Sequence, residues 1–322
     1  MKKNYFITGG TGSFGSKFAE TIIKKKLAKK IIIFSRDEFK QNEMKQLDFV
    51  KKNENIFRFF IGDVRDKSRL EYAITDKVDI IIHAAALKQV PATEYNPFEA
   101  VKTNIIGTQN IIEVATLKNI SKVMCVSTDK AAAPINLYGA TKLTAERLFI
   151  AANNYKGSKR CTFSIARYGN VFGSRGSVVP LFLKQIKNKK QLTVTNSEMT
   201  RFDISLEDAI LFVLKCLKSM KGGEIFVPKL SSYRITDLIK ALDIKKFKLI
   251  GIRSGEKIHE ELITSQERIR VLEKKDYYII FPSFNEQNLK TKKNYSSYNS
   301  FTNSKFLSIL ELKNKIKKFI IN

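Results

Sequence analysis

The stretch STDKAAAPINLYGATK, Ser127 to Lys142, packs five reactive side chains into one short segment. Thr128, Asp129 and Lys130 are adjacent, and Tyr138 and Lys142 follow, four residues apart. On a helix that last spacing puts the phenol and the ammonium on one face. A nearby cation favours a phenolate. Tyr138 is then a usable base for an alcohol whose carbon gives up a hydride. Thr128 can orient the same hydroxyl. Asp129 and Lys130 form a second acid–base pair, whose plain reading is a turn cap beside a solvated lysine.

Chemistry of this kind needs a hydride carrier, and the start of the chain has the elements to hold one. YFITGGTGSFGSKF places Gly9, Gly12 and Gly15 between a strand and a helix. The first glycine permits the tight turn, the second lets a pyrophosphate approach the backbone, and the third lets helix and strand pack closely. The helix N-terminus then offers free N–H groups to the phosphates. A dinucleotide site is expected. IIIFSRDE ends its strand in Ser35 and Arg36, where an NAD site wants an acid. A hydroxyl and a guanidinium suit a 2′-phosphate, so NADP is expected, although Asp37, slightly later, keeps NAD open. In GDVRD, Asp63 either accepts from the adenine amino group or caps the next turn. HAAALK supplies small residues that let a cofactor lie close, with His83 a satisfied buried histidine. The expected cofactor-binding set is Gly9, Thr11, Gly12, Ser13, Phe14, Gly15, Ser35, Arg36, Lys40, Asp63, Val64, Ala84, Ala85, Ala86, Tyr138 and Lys142.

These motifs sit in a regular alternation. Apolar runs YFIT, IIIF, FRFFIG, VDIIIHAA, VMCVS and FSIARY are separated by amphipathic stretches such as PFEAVKTNIIGTQNIIEVATLKN. That rhythm predicts an α/β fold: a Rossmann-like, doubly wound parallel sheet covered by helices on both faces. After Gly169 the pattern loosens, with Gly173, Gly176 and Pro180 breaking the chain. A dinucleotide-binding domain over 1–170 and a smaller C-terminal substrate-binding domain over 171–322 are expected. Residues 205–228 read as a helix and strand able to return to the first domain. EQNLKTKKNYSSYNS reads as a polar surface segment and FLSILELKNKIKKFI as a final helix.

Composition narrows the class. With 322 residues and 43% hydrophobic residues, a sizeable core is expected and global disorder is not. Cys125, Cys161 and Cys216 are odd in number and lack metal spacing, which suggests free thiols in a reducing cytoplasm and no metal site. No apolar run reaches the length of a membrane span, and MKKNYFITGG reads as a first strand, not a signal peptide. The net charge of +27 raises nucleic acid as a partner. The basic runs are scattered and carry no interleaved aromatics, so solvated surface is the expected reading.

The motifs ITGGTGSFG, FSRDEFKQNEM, FIGDVRD, HAAALKQVPATEYNP, STDKAAAPINLYGATKL, RYGNVFGSRGSVVP, EMTRF, GGEIFVPKL and GIRSGEKIHE together resemble the soluble, inverting UDP-N-acetylglucosamine 4,6-dehydratases. These belong to the extended short-chain dehydrogenase/reductase superfamily, whose Tyr-x-x-x-Lys core the chain carries. The likeness spans roughly residues 4–265. Asp129-Lys130 stands where retaining dTDP- and GDP-sugar dehydratases carry Asp-Glu, and Tyr138 where membrane-anchored retaining relatives carry Met.

The resemblance implies roles residue by residue. Thr128, Tyr138 and Lys142 would oxidise C4 of the sugar, Lys130 would take the C5 proton and Asp129 would be the acid at C6. Lys130 must be neutral to act, and burial or the cation of Lys142 is expected to lower its pKa. Lys88 and Asn170 would lie near the sugar. Arg175, Ser177, Val178 and Pro180 would line the uridine and sugar cleft, Arg201 and Arg253 would clamp the diphosphate, and Glu256 would hold the ribose. It also implies tightly bound, recycled NADP, UDP-N-acetylglucosamine as substrate, and a product used for pseudaminic acid or related sugars. A cytoplasmic homo-oligomer, possibly a hexamer, is implied as well, without nucleic acid or membrane. Asp203, Ala133 and Ser254 depart from the family pattern, and the last 55 residues match poorly. The rivals are a related UDP-sugar dehydratase or epimerase, and a non-catalytic nucleotide- or RNA-binding Rossmann protein.

Overall fold

The computed structural model describes residues 1–75, 77–174, 176–283 and 296–321. Six parallel strands form its centre: β1 (Lys3–Thr8), β2 (Ala28–Ser35), β3 (Phe57–Ile61), β4 (Ile80–His83), β5 (Lys122–Thr128) and β6 (Thr162–Tyr168). They lie in the order 3-2-1-4-5-6. Ile225–Pro228 adds a parallel strand beyond β6, and Tyr277–Ile280 and Val271–Glu273 finish that edge antiparallel, making nine strands. The strand order reverses between β1 and β4, where an open sheet of this kind leaves a crevice at its carboxyl ends.

Alternation along each strand builds two cores. Ile31 and Ile33 of β2 enter one apolar cluster with Ile7, Phe18 and Met124. Ile32 and Phe34 enter the other, with Phe6, Ile81 and Val123. Successive side chains of a strand point to opposite faces, and both faces of this sheet are covered by helices, so the strands read as nearly unbroken apolar runs. The helix α1 (Ser13–Lys24) buries Phe18, Ala19 and Ile22 on one face. Helix Leu137–Tyr155 is capped by Asn136, whose side chain accepts from the Gly139 N–H at 2.8 Å.

An ion cluster ties the layers beneath the strand ends. Arg167 of β6 is fully buried and bonds both oxygens of Glu146, both oxygens of Glu267 and the Leu262 carbonyl. Glu146 lies on helix Leu137–Tyr155 and Glu267 closes a capping box with Thr264.

The helix expected over 97–119 is interrupted. Pro97–Val101 runs into a π-turn, Lys102–Ile106, and then into helix Gly107–Leu117. The turn aims Asn104 at Leu87, whose N–H and carbonyl it bonds at 2.8 and 2.9 Å, and at Thr141. The loop after β4 is thereby fixed against the helix that carries Tyr138.

A third apolar cluster joins helices Val178–Lys187, Ile235–Ala241 and Ile309–Ile321 through Phe182, Leu238, Leu312 and Ile316. The final helix is therefore part of the smaller layer, although its sequence pointed to no role. Part of the polar segment 286–300 lies outside the described residues; within it Tyr298–Asn299 pairs with Glu261–Ile263, and Tyr298 is buried. No helix among the described residues is long and apolar enough to cross a membrane.

Candidate active site

The carboxyl ends of β1, β4, β5 and β6 and the smaller layer enclose a cavity of about 1550 Å³. Pockets for one small ligand span roughly 300–1,000 Å³, so this one has room for two. Thr128, Asp129, Lys130, Tyr138 and Lys142 all line it. The first three share a strand end and a 3₁₀ turn, and the last two share one face of helix Leu137–Tyr155. A Cβ on Gly139 would meet the Lys130 carbonyl at 2.2 Å, so glycine there lets helix and turn touch.

Lys142 is buried and donates to the Val126 carbonyl at 2.8 Å. Tyr138 is also buried. Burial raises the pKa of its phenol, while the cations of Lys142 and Lys130 oppose the rise. The expected depression is thus outweighed by desolvation in the protein alone.

Asp129 is fully buried. Its Oδ1 accepts from Thr128 Oγ1 at 2.9 Å and from Lys130 Nζ at 3.1 Å, and its Oδ2 has no partner among the described residues. Burial raises its pKa, against the pull of Lys130 and with Glu260 reinforcing the rise, which suits an acid. Lys130 departs from expectation. Burial opposes its charge, but Asp129 and Glu260 together outweigh burial and raise its pKa. The expected lowering by burial or by Lys142 is not found, because the two carboxylates outweigh burial. Lys257, on the same wall, has its pKa lowered by burial and donates to the Ala132 carbonyl at 2.6 Å.

The dinucleotide turn has the shape its glycines predicted. Gly9 takes a positive φ of 63°, and a Cβ there would lie 2.9 Å from the Ala85 nitrogen. A Cβ on Gly15 would lie 2.6 Å from the Gly9 carbonyl. No side chain caps the first turn of α1, so its N–H groups remain for phosphate oxygens. Thr11 lies in this turn, and Ser13, Phe14, Ala84 and Ala86 line the cavity. Thr8 Oγ1 accepts from the Ala84 and Ala85 N–H groups and holds them beside the turn. These residues fit a dinucleotide.

At the far end of that site, details differ from the reading. Ser35 is buried and its hydroxyl accepts from Gln41 Nε2 at 3.1 Å, so it is turned toward the protein. Arg36 is half exposed and reaches Asp63 at 3.4 Å. Asp63 accepts from the Arg65 N–H at 3.0 Å and from its guanidinium, the capping alternative. Asp37 caps the next helix and pairs with Lys40 at 2.8 Å. Val64 is buried against Gly107. His83 bonds Thr8 and Thr108, and burial with Lys142 nearby pushes its pKa down to about 3, so it is neutral.

Of the substrate set, Lys88, Asn170, Ser177, Val178, Arg201, Arg253 and Glu256 line the cavity. Asn170 Oδ1 and Ser177 Oγ are buried without a partner among the described residues, as groups kept for a ligand would be. Arg201 is largely buried, and it bonds the Thr200 and Ile258 carbonyls and faces Glu256 and Glu260 at 3.7 Å. Its fork is thus partly engaged within the protein. Pro180 is not part of the wall; it sits in the first turn of helix Val178–Lys187, and Val179 and Leu181 line the cavity beside it. Arg175 lies outside the described residues.

Sequence reasoning missed contributors from two segments. Glu260 and Lys257 belong to the motif GEKIHE, which pointed only to Glu256. Lys315, with Lys318 and Phe319, comes from the final helix and lines the same cavity. A Cβ on Gly173 would meet Phe319 at 2.3 Å, so glycine there admits the helix. Among the described residues no cluster of His, Cys, Asp and Glu has the arrangement of a metal site.

The family model for the polysaccharide biosynthesis protein family matches residues 5–282. The chain belongs to that family. A Campylobacter jejuni family member named UDP-N-acetylglucosamine 4,6-dehydratase (inverting) is 53% identical over 283 residues, 87% of this chain and 83% of its own. A Rickettsia bellii protein named UDP-glucose 4-epimerase is 43% identical over 288 residues, 87% of this chain and 83% of its own. The X-ray structure of Pen from Bacillus thuringiensis superposes with a TM-score of 0.89 at 39% identity, covering 98% of both chains.

Proposed function

We propose that this polysaccharide biosynthesis family chain is a UDP-N-acetylglucosamine 4,6-dehydratase that inverts C5. Its product is UDP-2-acetamido-2,6-dideoxy-β-L-arabino-hexos-4-ulose. The observation that carries this reading is the Asp129–Lys130 pair, buried and in contact, on the same wall as Thr128, Tyr138 and Lys142. Oxidation at C4 needs only the last three, and a second acid–base pair is needed once water must leave.

A nicotinamide dinucleotide held by Gly9, Gly12, Gly15 and the start of α1 supplies hydride acceptance from C4 and its return to C6. Tyr138 takes the C4 hydroxyl proton, with Lys142 stabilising the phenolate and Thr128 aligning the alcohol. The new C4 carbonyl acidifies the C5 hydrogen, which Lys130 removes as a proton once it has passed its own proton to Asp129 across their 3.1 Å contact. Asp129 gives its proton to the C6 hydroxyl, which leaves as water. C5 regains a proton on its other face. Atoms balance as loss of one water with no net oxidation. Asn170, Ser177, Val178, Arg201, Arg253 and Glu256 orient the UDP-sugar.

We assign NADP on Arg36, an exposed cation directly after β2. Arg36→Ala is expected to relax the preference over NAD on the order of tenfold, measured as a ratio of dissociation constants. We divide the chain near residue 170, with 205–228 returned to the dinucleotide-binding part because Ile225–Pro228 joins its sheet. We read the protein as a cytoplasmic homo-oligomer.

The test is conversion of UDP-N-acetylglucosamine in deuterated water without added cofactor. One deuterium at C5 with inversion, and the original C4 hydrogen in the C6 methyl, is the expected NMR result. The Rickettsia relative favours a second reading, 4-epimerisation. UDP-N-acetylgalactosamine with the C6 hydroxyl intact would establish that instead.

A further inference from the structure

Lys130 carries three N–H groups as an ammonium. One reaches Asp129 Oδ1 at 3.1 Å and another Glu260 Oε1 at 3.3 Å. Lys130 lines the cavity, and its side chain is 22% exposed, while Asp129 and Glu260 are buried to 0% and 4%. The nitrogen is thus anchored from the protein side by two carboxylates on different segments, the turn after β5 and the loop before strand Glu261–Ile263. The loop is itself secured: the Glu260 N–H donates to Ser300 Oγ at 2.9 Å. Among the described residues Glu260 Oε2 has no hydrogen-bond partner, as Asp129 Oδ2 has none. A buried carboxylate costs desolvation, and here Lys130 and Arg201 offset it at 3.3 and 3.7 Å.

We propose that Glu260 is a positioning residue for the water-loss step: with Asp129 it holds two N–H groups of Lys130, so that the third position on the nitrogen faces the cavity. This rests on the dehydratase reading. When the third proton leaves, the lone pair takes its place and the two anchored N–H groups keep it aimed at C5. Glu260 adds a second effect. Its negative charge lies beside both members of the pair and favours the proton-bound form of each. The groups facing it are Lys130 and Asp129 from the turn, Arg201 from strand Thr200–Asp203, and Lys257 from its own loop, with Tyr233 behind Arg201. Three of these are cations, and they hold the Glu260 pKa below its ordinary value, whereas burial outweighs Lys130 at Asp129.

The test measures kcat, KM and the isotope effect of C5-deuterated UDP-N-acetylglucosamine across pH for the holoenzyme and its Glu260 variants. Glu260→Ala is expected to lower kcat on the order of 100-fold, with KM changed less than about twofold and a larger C5 isotope effect. Glu260→Gln keeps an acceptor for Lys130 but loses the charge. Both limbs of its pH profile are expected to move to lower pH, because Asp129 and Lys130 each lose a proton more easily. Glu260→Asp is expected to restore part of kcat. A lower kcat with an unchanged C5 isotope effect and unmoved limbs would reduce Glu260 to packing and overturn the proposal. So would full activity of Glu260→Gln with a wild-type profile. If the wild type itself forms no dehydrated product, the dehydratase reading falls, and this proposal with it.

Discussion

Lys315 Nζ lies 2.7 Å from Asp203 Oδ2, and this pair ties the final helix to the strand that carries Arg201. Lys315 also sits over the Phe172 ring, 5.4 Å from its centroid. The helix lies beyond the residues matched by the family model, yet it forms part of the cavity wall. Asp203 departs from the family pattern in sequence. Its charge is answered from within the chain.

Lys315→Met leaves Asp203 buried without its cation. A loss of about 1–3 kcal/mol is expected in urea unfolding near neutral pH. The loss has a defined pH dependence. Burial, opposed by Lys315, holds the Asp203 pKa above its ordinary value. The folded state therefore keeps a proton that the unfolded chain releases, and stability falls as pH rises from the unfolded pKa to the folded one. Without Lys315 the folded pKa rises further and the window widens. The variant should be nearer to wild type at about pH 5 than at about pH 8. Asp203→Asn in the same background should remove that pH dependence.

Arg167→Met strands Glu146 and Glu267 together in the interior. Removing one member of a buried, fully bonded ion cluster costs about 3–5 kcal/mol, and here two carboxylates lose one shared partner. The denaturation midpoint should fall accordingly. Because Glu146 also accepts from Ser127 Oγ at 2.6 Å, beside Thr128, the variant should lose activity before it loses its fold. Circular dichroism and turnover measured along one denaturant series would separate the two transitions.

What could be read from sequence was local. The glycine turn lies within one strand–turn–helix, and Thr128 to Lys142 lies within one turn and one helix face, so spacing alone predicted their proximity. The sheet was legible because parallel strands buried on both faces are apolar runs. Glu260 could not be placed beside Lys130, since a loop far along the chain brings it there. Lys315 pairs with Asp203 through a helix whose amphipathic pattern is that of any docked helix. The direction of the Lys130 shift was misjudged because Asp129 and, from that distant loop, Glu260 raise it together against burial. The inward turn of Ser35 was not legible because it depends on Gln41, whose role inside FSRDEFKQNEM no spacing rule assigns.

Ala133 follows the Asp129–Ala131 turn with a φ of 44°, in the left-handed region that alanine rarely adopts. Asparagine tolerates this region, and the side chain at 133 is exposed, so there is room for it. Ala133→Asn is expected to raise stability by about 1 kcal/mol. A thermal scan with no rise would show that the strain is relieved by its neighbours.

Tyr138→Phe should abolish the first chemical step and leave the fold intact. The phenol hydroxyl is the group placed to take the C4 proton, while the ring stays within the buried wall. A loss of about 10²–10⁴-fold in the rate of C4 oxidation is expected, read as absorbance of the bound cofactor after mixing with substrate. The pH dependence tests the role of Lys142. Burial holds the phenol pKa above its ordinary value and Lys142 opposes that rise. The oxidation rate should therefore climb with pH as the phenolate forms. Lys142→Met removes the opposing cation, so its rate should be lower at neutral pH and should recover only at higher pH than wild type. A Lys142→Met profile of unchanged position would show that the ammonium only fills space, and near-normal turnover by Tyr138→Phe would remove Tyr138 from the reaction.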